Sequence, residues 1–152
     1  MKAIIQRVKN ASIIIENRSY SDIKSGLLVY IGINSNDSIK EINWILNKII
    51  NLRIFNDIYD KMNLSALETR SGIMVVPNFT IYANAIKGNR PSYTQAALPE
   101  KAESIYNQFL NEFNIQYPFQ KGVGKFQSMM EVHSVNDGPI NIVVETKSKN
   151  YV

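Results

Sequence analysis

Glu131-Val132-His133-Ser134-Val135-Asn136-Asp137-Gly138-Pro139-Ile140-Asn141-Ile142-Val143-Val144 places a turn-forming Asn-Asp-Gly-Pro between two runs that read as strands. The simplest reading is a β-hairpin. Gly138 can take backbone angles closed to other residues, and Pro139 has no amide hydrogen and fixes its own φ. The bond between them is either trans, the commoner form, or cis, and the turn alone leaves both open. In either form the pair can aim carbonyl groups outward, so the turn is a candidate recognition element with no reactive side chain.

Residues 2–9 alternate imperfectly, with Ala3, Ile5 and Arg7 against Ile4, Gln6 and Val8, and Ser12-Ile13-Ile14-Ile15-Glu16 is again β-branched. The pattern predicts two adjacent strands. Asn17-Arg18-Ser19-Tyr20 reads as a turn, and the apolar run Gly26-Leu27-Leu28-Val29-Tyr30-Ile31-Gly32-Ile33 as a central strand buried on both faces. Ser38-x-x-Glu41 is a capping box opening a helix whose stripe is Ile42, Ile45, Leu46, Ile49 and Ile50, with Trp44 off the stripe. A second helix starts at Pro99 and buries Ala102, Ile105, Tyr106, Phe109, Leu110 and Phe113.

Between the helices, Arg53-Ile54-Phe55 reads as a short strand and Asn56-Asp57-Ile58-Tyr59-Asp60 as a turn. Residues 72–82 form a long apolar run interrupted by Pro77. A proline there deletes a ladder hydrogen bond, which marks an edge, a bulge, or backbone that serves something other than sheet pairing. Gly122-Val123-Gly124-Lys125 lacks phosphate-loop spacing and reads as a tight turn into a strand over residues 126–134.

At 152 residues, with 45% apolar and 20% charged residues, the chain fits one globular domain. Its apolar runs fall far short of the ~20 residues that span a bilayer, and Gln6 and Arg7 interrupt the opening run before it resembles a secretory signal. The expectation is a cytoplasmic protein without membrane contact. With no cysteine and a single histidine, thiol chemistry is excluded and no zinc pattern can be assembled, so neither metal nor cofactor is expected. Asp57 and Asp60 are read as turn residues rather than an acid/base pair, and His133 as a strand residue, because no Ser-His-Asp set surrounds it. The net charge of +4 is compatible with a polyanion such as RNA, as is the loop over residues 83–98, where Lys87-Gly88-Asn89-Arg90-Pro91-Ser92-Tyr93 mixes basic and aromatic groups. A solvated surface is the ordinary alternative for both.

The segments Ile5-Gln6-Arg7-Val8, Gly26-Leu27-Leu28, Arg53-Ile54-Phe55, Lys61-Met62-Asn63-Leu64, Phe79-Thr80, Lys87-Gly88-Asn89-Arg90-Pro91-Ser92, Gly124-Lys125-Phe126 and Asn136-Asp137-Gly138-Pro139 follow one another in an order that resembles the D-aminoacyl-tRNA deacylase family nearly end to end. The resemblance implies a single compact α/β domain over residues 1–146, with mostly antiparallel or mixed sheets packed against two main helices, and a polar tail at residues 147–152. It implies a homodimer with active sites at the subunit interface. The partner is aminoacylated tRNA, and the reaction is cofactor-free hydrolysis of the ester joining a D-amino acid to the terminal adenosine, extending to glycyl-tRNA.

By the same resemblance, Gly138-Pro139 is a Gly-cis-Pro motif entering the partner's pocket, where its carbonyls reject an L side chain. Phe79 and Thr80 join it as catalytic residues. Asn78, Phe126 and Met129 are substrate-binding residues, and Arg7 braces the Gly-Pro segment through its backbone carbonyls. The family's Ser-Gln-x-Thr-Leu signature falls on Pro77-Asn78-Phe79-Thr80-Ile81, which keeps only the threonine among the polar residues, and Asn141 stands where the family usually places threonine. Pro77 removes a hydroxyl and an amide donor, and Asn78 is one methylene shorter than glutamine. The alternatives are a deacylase with altered chirality preference and a tRNA-binding paralogue that has lost hydrolysis. Thr80 is read as a positioning group ahead of a nucleophile, since no base adjoins it in sequence.

Overall fold

β1 (Lys2–Ile15) is the strand on which the sheet is built. The computed structural model describes residues 1–146, and the tail expected at residues 147–152 lies outside the described residues. The two strands expected over residues 2–16 are one. Lys9 and Asn10 are exposed and break the burial pattern, but β8 pairs on either side of Lys9, Val8 with Asn136 and Asn10 with Val135, and carries the strand across the gap between the other two ladders. β2 (Arg18–Ile23) pairs antiparallel with the C-terminal part of β1, and β3 (Gly26–Gly32) with its N-terminal part. The turn expected over residues 17–20 sits earlier, at Glu16 and Asn17, whose φ values are 50° and 60°.

β6 (Gly72–Pro77) lies parallel to β3, and β7 (Lys121–Val123) parallel to β6. At the start of the β3–β6 pair a Cβ on Gly26 would stand 1.8 Å from the Gly72 carbonyl oxygen, so only glycine lets the backbones approach this closely. Gly122 and Val123, expected in a tight turn with Gly124 and Lys125, lie instead in β7, where the ladder to β6 holds them extended. The Val123 amide donates to Ser21 Oγ at 3.2 Å, which brings β7 against β2 and nearly closes the sheet into a barrel. Val8, Ala11, Ile13, Ile23, Leu28, Met74 and Val76 fill its interior.

Helices cover the opposite face of the sheet. α1 (Ile39–Asn51) starts from the expected capping box, with the Ser38 amide donating to Glu41 Oε2 at 2.9 Å, and buries the expected isoleucine and leucine stripe. Trp44 stays exposed, with the Lys48 ammonium 5.5 Å from its ring centre. α3 (Pro99–Gln116) begins with its proline and buries the expected face, Leu110 only partly. A short helix not expected from the sequence, α2 (Ala66–Thr69), carries the same signature in Ser65 and Glu68. Beside it β4 (Phe55–Asn56) and β5 (Met62–Leu64) form a small antiparallel pair, so the strand expected at residues 53–55 begins at Phe55. Asp57 acts as a turn residue: its Oδ1 accepts from the amides of Tyr59 at 2.9 Å and Lys61 at 3.1 Å.

The hairpin expected around Asn136 does not form. β8 (Glu131–Glu145) is one strand, antiparallel to β1 from Lys2↔Glu145 to Gln6↔Asn141 and again from Val8↔Asn136 to Ile14↔Glu131. Residues 137–140 have no partner on β1 in this register and form an excursion from the strand. Folding the two arms on each other would strip the ladder from β1, whereas an excursion keeps both arms paired and Ile140, Ile142 and Val144 packed on the core. Two further expectations change. The strand expected over residues 126–134 starts only at Glu131, and the long strand expected over residues 72–82 ends at Pro77, after which Phe79–Tyr82 is a 3-10 turn.

No helix among the described residues is long and apolar enough to cross a membrane. Nor does any group of three or more His, Asp or Glu side chains among them stand where it could hold a metal ion.

Candidate functional site

Where β6 stops, the sheet opens into a cleft of about 610 Å³. Tyr30 and Ile31 of β3 and Val76 and Pro77 of β6 line one side, Ala97 to Pro99 and Ala102 another, and Phe126 to Met130 a third. Pro77 closes the strand, and the next amide, Asn78, takes up the bond to Ile31 O at 2.8 Å. Proline at this last position therefore ends the ladder without leaving β3 unpaired.

Asn78 caps the 3-10 turn. Its Oδ1 accepts from the Thr80 amide at 3.0 Å and from Thr80 Oγ1 at 2.5 Å. Because a backbone N–H can only donate, the amide contact fixes which carboxamide atom faces the turn. Thr80 thus stands on the rim with its hydroxyl proton directed at a neutral amide oxygen, which is not a base. Phe79 is 58% exposed and meets the Tyr93 ring edge to face, centroids 5.1 Å apart. Phe126 packs 6.0 Å from the ring of Tyr106, whose hydroxyl donates to Gly124 O at 2.9 Å and so anchors the exit of β7 beneath the cleft. Burial raises the Tyr106 phenol above its ordinary pKa, which keeps it a donor. Met129 is almost wholly exposed at the mouth.

The cleft lining contains no charged side chain. Its titratable members are Tyr30 and Tyr93, and burial pushes the Tyr30 phenol up. The site can hold an aromatic or aliphatic group and order water, but it offers no carboxylate or imidazole for proton transfer. His133 lies on β8, exposed and 3.4 Å from Glu131.

The remaining expected residues gather elsewhere. Gly138 and Pro139 are exposed in the β8 excursion and joined by a cis peptide bond. Gly138 has φ 122°, and a Cβ there would stand 2.7 Å from Ile140 Cγ1, so glycine is required. Neither residue lines the cleft of its own chain. The resemblance implies that Arg7 bonds the backbone carbonyls of Gly138 and Pro139, but its contacts lie elsewhere. Its Nη1 donates to Ile54 O at 2.7 Å and to Asn56 Oδ1 at 2.9 Å, and Nε lies 3.0 Å from Asp137 Oδ2, a charge contact whose N–H is not aimed along a hydrogen bond. The guanidinium braces the excursion at its first residue, through Asp137.

A residue not singled out from the sequence completes the brace. Asn136 Nδ2 donates to Arg7 O at 2.9 Å and to Ile140 O at 3.3 Å, tying the base of the excursion shut. Its signal was the Asn-Asp pair ahead of Gly-Pro, side chains that commonly bond backbone within a turn. Asn78, Phe79, Phe126 and Met129 are thus brought together at the cleft with Thr80 on its rim, while Arg7, Gly138 and Pro139 form a separate constellation.

A family model described as D-Tyr-tRNA(Tyr) deacylase matches residues 4–145. The chain is similar to D-aminoacyl-tRNA deacylase of Petrotoga mobilis, 42% identical over 147 residues, 97% of this chain and 98% of the relative. D-aminoacyl-tRNA deacylase of Fusobacterium nucleatum subsp. nucleatum is 42% identical over 150 residues, 99% of each chain. Among solved structures, c-Myc DNA unwinding element binding protein superposes with a TM-score of 0.93 at 37% identity, covering 97% of this chain and 100% of that one. A probable eukaryotic D-amino acid tRNA deacylase superposes with a TM-score of 0.82 at 13% identity, covering 94% and 97%, a likeness of fold.

Proposed function

The chain belongs to the D-Tyr-tRNA(Tyr) deacylase family, and from that membership we propose that it hydrolyses the ester of D-aminoacyl-tRNA, releasing the free D-amino acid and tRNA in the cytoplasm. The observation that carries this reading is the family match across residues 4–145, which spans both the cleft and the β8 excursion. The bond to be broken is an activated ester. Water adds to its carbonyl carbon, the oxyanion is held by backbone amides, and the bond to the terminal ribose oxygen breaks as that oxygen takes up a proton. Positioning and oxyanion stabilisation suffice for such a substrate, which suits a cleft without a protein base. The neighbouring ribose hydroxyl of the tRNA assists the water.

Phe79, Phe126 and Met129 contribute surfaces for the terminal adenine and the amino acid. Thr80 positions rather than attacks. Its proton is shared with Asn78 Oδ1, so its oxygen is left to accept from the substrate or water. The Asn78 carboxamide keeps that arrangement in place of the family's longer glutamine. Thr80→Ala should keep most of the deacylase activity; complete loss with tRNA binding preserved would restore the nucleophile.

Stereochemical selection falls to Gly138 and Pro139. In a homodimer the exposed excursion of one subunit enters the cleft of the other, where its carbonyls collide with an L side chain, pass a D side chain and cannot refuse glycine. Arg7 and Asn136 support this reading by holding the excursion rigid at its base. The test is to follow ester loss from D-tyrosyl-, L-tyrosyl- and glycyl-tRNA. Loss of the first and third with the second spared is expected. Survival of D-tyrosyl-tRNA at enzyme levels where a known deacylase clears it would sink the reading, and a protein that sediments as a monomer while active would remove the cross-subunit selector.

A further inference from the structure

We propose that the tip of the loop over residues 83–98 is a second binding surface, for the phosphates of the single-stranded tRNA tail upstream of the terminal adenosine, with Lys87 and Arg90 as its contacts. The inference rests on the deacylase reading and extends it from the reacting end of the substrate to its polyanionic tail. It starts from a mismatch of charge. The cleft has no charged lining, so it can grip an amino acid and a base but supplies no counter-charge to a phosphodiester chain. That charge has to stand outside the cleft.

The sequence around the mouth is arranged to supply it. No aspartate or glutamate occurs between Glu68 and Glu100, so β6, the 3-10 turn and the whole loop carry no negative side chain, whereas Lys87 and Arg90 lie within the stretch. Both cations are exposed, and neither forms an ion pair among the described residues. The loop that presents them has defined geometry. Asn84 and Ser92 exchange two backbone hydrogen bonds of 2.8 Å across its neck, Asn84 Oδ1 accepts from the Ile86 amide at 3.0 Å, and Gly88 turns the tip at φ 73°.

The neck is fastened to the site. Tyr93, immediately after it, lines the cleft and packs its ring against Phe79, and the loop returns to the body where Asn34 Nδ2 donates to Gln95 O at 2.6 Å and Ala97 N to Ile33 O at 2.8 Å. The cations therefore project from a structure continuous with the mouth, where the chain preceding a seated terminal adenosine has to emerge. Backbone contacts of this kind raise affinity without reading sequence.

The experiment compares D-tyrosyl-tRNA with the D-tyrosyl ester of adenosine, which has no phosphate, for the unmodified protein and the Lys87→Ala/Arg90→Ala double variant. On tRNA the double variant should lose roughly tenfold in kcat/KM, mostly through KM, and the log–log salt dependence should flatten by about 1.4, or ~0.7 for each single-strand phosphate contact removed. On the adenosine ester it should match the unmodified protein. The charge-keeping Lys87→Arg/Arg90→Lys variant should restore most of the tRNA rate, and the same salt slope measured for binding of uncharged tRNA gives a readout independent of turnover. Equal losses on both substrates, or an unchanged salt slope on tRNA, would overturn the proposal while leaving the deacylase reading intact. Failure of the unmodified protein to cleave either substrate would remove the deacylase reading, and this surface with it.

Discussion

At two places where the chain leaves its sheet, an asparagine side chain manages the departure, in opposite chemical senses. At the end of β6, Asn78 uses its carbonyl oxygen to accept from Thr80, and every atom involved lies within two residues. Midway along β8, Asn136 uses its amide nitrogen to donate to Arg7 O and Ile140 O, and the first of those partners is 129 residues away in sequence. A strand that simply ends can be capped by its own next residues. One that departs and returns must keep two ladders in register, so the tie has to reach across to the neighbouring strand. Arg7 extends that tie to Ile54, Asn56 and Asp137, making the excursion the more dependent of the two on the rest of the fold.

The largest effect should therefore come from Arg7→Ala. It leaves Ile54 O and Asn56 without their donor and Asp137 without its counter-charge, and a loss of about 3 kcal/mol in urea unfolding is expected for a mostly buried guanidinium of this kind. Arg7→Lys should recover only part, since an ammonium cannot span the same acceptors as a planar fork. Full recovery by lysine would mean that charge alone holds the excursion.

A smaller effect, and the sharpest test of the contrast, is the same substitution made at both asparagines. Asn136→Asp replaces a donor with an acceptor facing two carbonyls and should cost about 2 kcal/mol, whereas Asn78→Asp keeps the acceptor that the Thr80 amide and hydroxyl need and should stay within about 0.5 kcal/mol of the unmodified protein. Equal midpoints for the two variants would mean that the two asparagines do not act in opposite senses.

The smallest effect separates these amide ties from the carboxylate caps of α1 and α2. The hydroxyl of Ser38 holds the Glu41 carboxyl below the usual carboxylate range, and the amide and then the hydroxyl of Ser65 do the same for Glu68. A depressed carboxylate contributes stability that is present above its unfolded value and lost as pH falls through the folded one. Stability should accordingly decline below about pH 4.5, and Ser38→Ala with Ser65→Ala should flatten that acid limb, while Asn78→Ala leaves its slope unchanged because an amide does not titrate. An acid limb unaltered by the serine variants would place the titration elsewhere.

The legible parts of the molecule were those whose partners are close in sequence. Ser38, Glu41 and the isoleucine stripe of α1 lie within a few helical turns, and the run from Gly26 could be recognised as buried on both faces from its composition. Pro77 announced that the backbone beyond it serves something other than pairing, and the 3-10 turn with its Asn78 cap is what it serves. The Ser65-x-x-Glu68 box of α2 was equally readable, though the helix it opens is very short.

β1 and β8 were misjudged for a common reason. Alternation reports which residues can face a core but not which strand will lie alongside, so residues 131–144 were as suitable for pairing with themselves as with β1. Sequence by itself determined the two long helices, the apolar faces, the absence of thiol chemistry and the need for glycine and proline in the Asn136 turn. Tertiary structure alone decided that this turn is an excursion from a continuous strand, that Arg7 reaches it through Asp137, and that Thr80 is held at the rim of an uncharged cleft. Those outcomes depend on pairings between residues far apart along the chain, whose free energy is realised only when β1 has both of its edges filled.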